Sequence, residues 1–203
     1  NTNVIFDNLK KGLILKNITS PSGSGTFSLT TNLGKGESYL ISAEAEDSGF
    51  NQDGLIGVSI TSDKPIVVNS GSASGSFESS TGGQDYGIDQ IVGADLVGSE
   101  DIFIRGNGNN GWENVLLKAD QDNTEIIVNG TAIATLNTGG YVLLEGDNYS
   151  SELPGANMHV ITKDPSHKLF AYQGTGNVYS SGFAAAANQG MFFVPPLNCS
   201  AKG

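Results

Sequence analysis

Short apolar clusters separated by turn residues run along most of the chain, and helical periodicity is nearly absent. The clusters are strand-length and rich in β-branched or aromatic side chains, which is typical of β-strands. They lie at residues 39–41, 55–60, 65–68, 101–104, 115–117, 125–128, 141–144, 158–161, 169–172 and 191–194. Only residues 183–189, with a run of alanines, have the composition of a helical turn or two. The pattern predicts an all-β chain.

One β-hairpin is written almost completely in the sequence. The apolar residues 125–128 are followed by Asn129-Gly130 and then by residues 131–134. Asn-Gly suits a two-residue type I′ turn, because both central residues of that turn need a positive φ angle. We therefore predict a hairpin centred on Asn129 and Gly130.

Matching positions in the two halves of the chain predict an internal repeat. Ile60 and Asp63 match Ile161 and Asp164 at a spacing of 101, so a two-residue insertion is needed in the following turn of the second copy. The spacing of the remaining matches is 103 positions (136 − 33) in the pairs Leu33 and Leu136, Gly36 and Gly139, Gly71 and Gly174, and Gly87 and Gly190. The repeat predicts two tandem, related antiparallel β-sandwich-like units, residues 1–98 and 99–203.

Composition and charge narrow the choice of partners. The chain carries 10 basic and 21 acidic residues, a formal net charge of −11, with 28 glycines. A nucleic acid needs a Lys/Arg footprint and an anionic membrane repels such a chain, so neither is an expected partner. No apolar run reaches membrane length. The chain opens without a methionine, as expected of a piece of a larger secreted or cell-surface protein.

Catalytic signatures are absent from the sequence. The histidines are His159 and His167, and no Gly-x-Ser-x-Gly elbow presents a serine beside either. The one cysteine, Cys199, forms no internal disulfide, so its partner lies outside this sequence or it is a free or buried thiol. We therefore predict that the chain is not an enzyme.

Four segments together resemble the IgGFc-binding-protein N-terminal domain family. They are residues 62–71, 85–92, 122–130 and 190–197, and the resemblance spans roughly residues 30 to 199. It implies an extracellular, multidomain protein with an adhesive role, and further cysteine-containing modules that supply a partner for Cys199. The style of the motifs, including residues 145–150, favours a bacterial, Bacteroidota-type surface protein. No catalytic residue comes with the family, and we do not carry antibody binding over.

One glycine- and asparagine-rich loop is the candidate ligand site. Residues 106–111 lack the Lys-Ser/Thr of a phosphate-binding loop and open no helix. The loop is either a mobile connection between strands or a recognition loop. In the second case its neighbourhood offers a cation, amides and aromatic faces for a sugar or peptide, and the candidate residues are Arg105, Asn109, Asn110, Trp112 and Tyr86.

Acidic loops raise the question of Ca²⁺, which takes oxygen ligands. The richest loop spans residues 44–54, but its spacing departs from that of an EF-hand. Ordinary turn chemistry, in which Asp and Asn satisfy their own backbone, is the alternative. The candidate ligands are Asp47, Asn51, Asp53 and Asp147.

These features predict a binding or adhesion module of an extracellular or cell-surface protein. Its partner would be a glycan, a glycoprotein or neighbouring modules of the same protein. The alternative is a structural stalk or filament-forming module without its own ligand. Exposed recognition groups would favour the first, and smooth polar loops would favour the second.

Overall fold

The computed structural model describes residues 1–44, 49–52, 54–75, 85–174 and 191–197. Within these ranges every strand pairing is antiparallel, which confirms the all-β prediction. The helical elements there are a four-residue helix α1 (Gly49–Gln52) and 3₁₀ turns at Ala94–Leu96, Asn110–Trp112 and Gly146–Asn148. The strands are β1 (Thr2–Lys10), β2 (Thr26–Leu33), β3 (Ser59–Ser62), β4 (Val68–Gly75), β5 (Asp85–Ile91), β6 (Glu100–Ile104), β7 (Val115–Ala119), β8 (Thr124–Val128), β9 (Thr131–Leu136), β10 (Tyr141–Leu144), β11 (Asn157–Thr162), β12 (Leu169–Gln173) and β13 (Phe192–Phe193).

The chain forms two compact units, Asn1–Ile66 and Val67–Gly203. This division follows the density of contacts, whereas the predicted boundary after residue 98 follows the sequence repeat. The boundary between two repeated copies after residue 98, and the repeat itself, stay predictions. The short helix predicted at residues 183–189 lies outside the described residues.

The first unit is built on one three-stranded sheet in the order β2-β1-β3. Leu13 and Leu15 are buried in the segment after β1, and Val4, Phe6 and Leu9 of the central strand form the small buried cluster of the sheet. Half-buried side chains from β2, β3 and the loops pack around them; they are Phe27, Leu29, Leu33, Ile41, Leu55, Val58, Ile60 and Ile66.

The second unit is a sandwich of two four-stranded sheets, in the orders β6-β11-β8-β9 and β10-β7-β12-β13. Buried and half-buried residues alternate along β7 and β8, as expected of strands with one face toward a core. Both sheets contribute to one buried cluster, whose members are Phe103, Val115, Leu117, Ala119, Ile126, Val128, Leu144, Tyr149, Met158, Val160, Leu169 and Ala171. A separate two-stranded ribbon of β4 and β5 belongs to the same unit.

The predicted hairpin is confirmed. Strands β8 and β9 pair from Thr124 with Leu136 to Val128 with Thr131, with a register shift between Ile126 and Ile127. Asn129 and Gly130 connect them with φ angles of 48° and 85°, as the type I′ turn requires. The side chain of Asn129 also ties the turn to a neighbouring segment, since its Nδ2 donates to the carbonyl of Asn148 at 2.8 Å.

Candidate ligand-binding cleft

A polar cleft opens beside the loop that follows strand β6. Its volume is about 460 Å³. The loop runs from the end of β6 into the 3₁₀ turn Asn110–Trp112, so both ends of the loop are anchored by regular structure. The cleft is lined by Arg105, Asn107, Gly108, Asn109, Asn110 and Glu152. The sequence-predicted residues Arg105, Asn109 and Asn110 are therefore brought together at one place.

Two buried charged side chains hold the loop in shape. The carboxylate of Glu113, which is 0% exposed, accepts hydrogen bonds from the backbone nitrogens of Gly106 at 2.9 Å and Gly108 at 2.7 Å. Arg105 donates through Nη2 to the carbonyl of Gly108 at 2.9 Å. The backbone nitrogen of Gly108 is thus bound by the Glu113 carboxylate, and its carbonyl oxygen by the Arg105 guanidinium. Such charge-assisted hydrogen bonds are stronger than neutral ones, so the loop is preorganised.

Arg105 is itself fixed by its surroundings. Its side chain is 5% exposed, its Nε donates to the carbonyl of Glu152 at 3.2 Å, and its guanidinium carbon lies 6.0 Å from the centre of the Tyr149 ring. Burial, followed by the charge of Glu113, raises the pKa of Tyr149, so this ring stays neutral. Among the described residues, Arg105 Nη1 has no hydrogen-bond partner. Arg105 is therefore a buried support for the loop whose Nη1 amino group is left without an acceptor in this part of the chain.

A glycine packs directly behind the cleft. A Cβ atom built on Gly146 would lie 2.6 Å from the Cα of Asn110 and 2.8 Å from Arg105 Nη1. Both distances are shorter than real Cβ contacts, and the first neighbour is backbone that cannot move aside. Gly146 is therefore required for the close approach of its 3₁₀ turn to the loop of residues 106–111.

The loop presents amides to solvent. Asn107 and Asn109 are exposed, and neither side chain hydrogen-bonds to another described residue. The backbone around Asn109 is nevertheless fixed, because its carbonyl accepts from the backbone nitrogens of Trp112 at 2.9 Å and Glu113 at 3.2 Å. Asn110 differs from the other two, since its amide donates to the carboxylate of Asp147. Two amide groups are thus held ready for a ligand.

The aromatic candidates lie elsewhere. Trp112 is 6% exposed and does not line the cleft, so the face of its indole is not a platform for a sugar ring. Tyr86 is 75% exposed on strand β5 and is also not among the cleft residues. The cleft therefore offers polar groups without aromatic stacking.

The two candidate calcium ligands that lie among the described residues, Asn51 and Asp147, have separate partners. Asn51 is 3% exposed, and its side chain brackets another segment, with Oδ1 accepting from Ile14 N at 2.9 Å and Nδ2 donating to the carbonyls of Ile14 and Glu44. Asp147 is engaged by Asn110. Asp47 and Asp53 lie outside the described residues. In the part of the chain that the structure describes, no group of three or more His, Cys, Asp or Glu side chains is placed to hold a metal.

We expect a calcium chelator to leave the melting temperature unchanged within about 2 °C, because Asn51 is saturated by backbone groups. Differential scanning calorimetry of the chain in excess calcium and in excess chelator measures the difference. A fall of several degrees on chelation would place a structural cation in the acidic loops.

The histidines lie outside the cleft. His159 on β11 contacts the carboxylate of Glu100 at 2.9 Å, and both side chains are 43% exposed. His167 lies in a turn, with Nδ1 3.3 Å from the hydroxyl of Thr124. Cys199 lies outside the described residues. Neither histidine therefore stands among the groups that line the cleft.

Sequence reasoning missed three residues of this site: Asn107, Glu113 and Glu152. Asn107 belongs to the very loop that the sequence singled out, so the alternating Gly-Asn pattern was signal enough to include it. Glu113 follows the loop directly, and an acid next to a run of glycine N–H groups is a recognisable acceptor for them. Glu152 lies 47 residues from Arg105 and no local pattern connects the two.

The family comparison agrees with the resemblance seen in the sequence. The family model described as IgGFc binding protein matches residues 1–202. No curated protein and no solved structure matches the chain. Among the described residues, no helix has the length and apolarity needed to cross a bilayer. Because the match covers nearly the whole sequence, the chain belongs to the IgGFc binding protein family.

Proposed function

We propose that this chain is a binding module of an extracellular adhesive protein, with the polar cleft beside Arg105 as its ligand site. The observation that carries the proposal is the support given to the loop. Burying Arg105 and Glu113 costs desolvation energy, and a plain connection between strands has no need of it. A fixed loop that presents unpaired amides loses little entropy on binding, which is a feature of recognition sites.

The groups of the cleft favour a neutral, hydroxyl-rich ligand such as a glycan or the glycan of a glycoprotein. The amides of Asn107 and Asn109 each offer both donors and acceptors, which suits hydroxyl groups. Glu152 and Asp147 add negative charge at the rim, while the positive charge of Arg105 is buried. A sulfated or sialylated ligand would meet this rim with repulsion.

Family membership supports the class of function. The family is described as a binding protein, and its name refers to the antibody Fc region. We take from it the binding role and an extracellular location, and leave the antibody specificity aside. A surface-attached bacterial parent protein is our preferred setting. The competing role, a stalk or filament module without a ligand, requires no fixed amides in a cleft.

The test is a glycan and glycoprotein binding screen on the full chain, followed by substitution of the cleft amides. We expect the double variant Asn107→Ala, Asn109→Ala to lose about tenfold to thirtyfold in affinity for any ligand that the screen finds, because two hydrogen bonds are removed. The control is Gln90→Ala, an exposed amide on strand β5 of the same unit. Equal affinities for the double variant and the wild type, or no ligand in the screen, would favour the stalk.

A further inference from the structure

The pairing of strands in the first sheet recurs in the second unit. The order β2-β1-β3 of the first unit corresponds to β9-β8-β11 in the second. Along the two central strands, Val4 pairs with Thr31 and Ser62, and its counterpart Ile126 pairs with Ala134 and Thr162. The agreement extends one position before this pair, where Asn3 with Asn32 matches Glu125 with Thr135, and two positions after it, where Phe6 with Ile60 matches Val128 with Val160.

A second set of strands agrees with the spacing of the sequence repeat. Asn69 pairs with Gln90 and Ser70 with Asp89 in the β4–β5 ribbon. The residues 103 positions later pair in the same way, Tyr172 with Phe193 and Gln173 with Phe192. The strand pairing matches Ile60 to Val160, one residue out of step with the sequence match to Ile161. The recurrence therefore concerns backbone geometry and does not rest on shared glycines.

Strand β6 of the second unit has no counterpart beside β3 among the described residues. Strand β11, the equivalent of β3, is covered on its other side by β6, with Val160 opposite Asp101 and Met158 opposite Phe103. Strand β3 pairs only with β1 among the described residues. The free edge of β2 needs no such explanation, because its counterpart β9 is an edge strand as well. The comparison thus singles out the outer edge of β3.

The backbone groups on that edge are known from the alternation along the strand. Asp63 N donates to Asn3 O, as its counterpart Lys163 N donates to Glu125 O. The backbone N–H groups of odd-numbered residues along β3 therefore point toward β1. Thr162 N instead donates to Ser99 O, which precedes β6. By the same alternation, the N–H groups of Ile60 and Ser62 point to the open edge and pair with no described residue.

Side-chain burial shows the same gap. Met158, Val160 and Thr162 on β11 are 0%, 0% and 4% exposed. Their counterparts on the β3 side are less covered, since Val58 and Ile60 are half-buried and Ser62 is exposed. A strand in the place of β6 would cover Val58 and Ile60 with its inward side chains, as Phe103 covers Met158 in the second unit.

We propose that the outer edge of β3 is a docking site for an extended segment of a partner polypeptide, which binds antiparallel to β3 in the place that β6 takes beside β11. Main-chain hydrogen bonds to Ile60 and Ser62 supply affinity, and a bulky apolar side chain opposite Val58 supplies specificity. A second copy of this chain is a poorer occupant, because each copy carries a net charge of −11.

The probe is a synthetic peptide with the sequence of residues 99–105 and the change Asp101→Asn, which avoids burying a carboxylate against Ile60. Titrated into the full chain, it is expected to bind saturably and to slow amide hydrogen exchange at Ile60 and Ser62. A peptide that also carries Phe103→Asp is the matched control and should not bind. Absence of binding, or protection that appears elsewhere, would overturn the proposal.

Two proline variants test whether the peptide binds at the edge of β3 rather than at any exposed strand edge. Ser62→Pro removes an N–H that points away from β1, and we expect it to weaken the peptide at least roughly tenfold. Thr135→Pro removes an N–H on the edge strand β9 that also points outward. The backbone of Glu125 faces β11, so that of Ile126 faces β9 and bonds to Ala134, which leaves the N–H of the next residue, Thr135, on the open side. This variant should leave peptide affinity unchanged. The reverse ranking would contradict docking at β3. Sedimentation of the peptide-free chain supplies the last control, because a dimer with Ile60 and Ser62 protected would identify a second copy as the occupant.

Discussion

Replacing Glu113 by Gln is expected to lower the free energy of unfolding of the second unit by about 3 kcal/mol. The carboxylate accepts from two backbone N–H groups, and hydrogen bonds to a charged group contribute roughly 1.5–3 kcal/mol each. A Gln side chain has one oxygen and one NH₂ group, so either Gly106 N or Gly108 N loses its acceptor and faces a donor instead. The variant also leaves the buried charge of Arg105 without its nearby anion, which adds to the cost.

Trp112 makes this prediction measurable at the site itself. It is the single tryptophan of the chain, it is buried, and it precedes Glu113, so its fluorescence reports on the loop directly. Denaturant titrations followed by this emission should show the midpoint of Glu113→Gln well below that of the wild type. The control is Glu152→Gln, an exposed carboxylate in the same cleft, for which we expect a change within about 0.5 kcal/mol. Equal midpoints for the two variants would mean that Glu113 does not hold the loop.

The candidate loop, residues 106–111, was accessible to sequence reasoning because its residues are consecutive. Arg105, Asn109 and Asn110 fall within six positions, and a Gly-Asn run between two strand-like clusters indicates a connecting loop. The depth of Trp112 was not accessible in the same way. An aromatic residue beside a loop reads equally as a platform or as a core residue, and only its packing decides between them. Here the tryptophan is 6% exposed.

The first sheet was harder to predict than the second. Neither β1 nor β2 was among the strands singled out from the sequence: the apolar run of β1 is limited to Val4, Ile5 and Phe6 between the polar residues Asn3 and Asp7, and β2 has no two consecutive apolar residues. Asn8 adopts a positive φ of 63° at a register shift between Phe6 and Leu9, which moves Leu9 back to the buried face and breaks the period of two. Conversely, the apolar residues 39–41 form no strand. The apolar pattern of the sequence therefore locates a strand only where no bulge interrupts its alternation.

The acidic loop 44–54 shows a different limit of pattern reading. Oxygen-rich segments have the composition of a cation site, yet an Asn in such a segment is satisfied just as well by backbone groups of another segment. Asn51 takes this second course with Ile14, which is 37 positions away in sequence. A contact at that separation leaves no local signal.

A buried acid on strand β6 predicts an unusual dependence of stability on pH. Asp101 is 1% exposed, and neither carboxylate oxygen has a hydrogen-bond partner among the described residues. Burial, with a smaller contribution from the neighbouring charge of Glu100, raises the pKa of Asp101 from 3.8 to about 7. The folded protein therefore binds this proton more tightly than the unfolded chain does. The contribution of Asp101 to stability is greatest below about pH 4, falls as pH rises from there to about 7, and is constant above that value.

Asp101→Asn removes this dependence, because the amide resembles the neutral acid and does not ionise. We expect the variant to match the wild type near pH 4 and to exceed it at pH 8 by up to about 4 kcal/mol, the free energy that corresponds to the raised pKa. Denaturant titrations of both proteins from pH 4 to pH 8 give the difference, in which the titrations of all other groups cancel. Asp95→Asn, an exposed aspartate of the same unit, should show no such trend. A constant difference between Asp101→Asn and the wild type over the whole range would mean that folding does not raise the pKa of the Asp101 carboxyl.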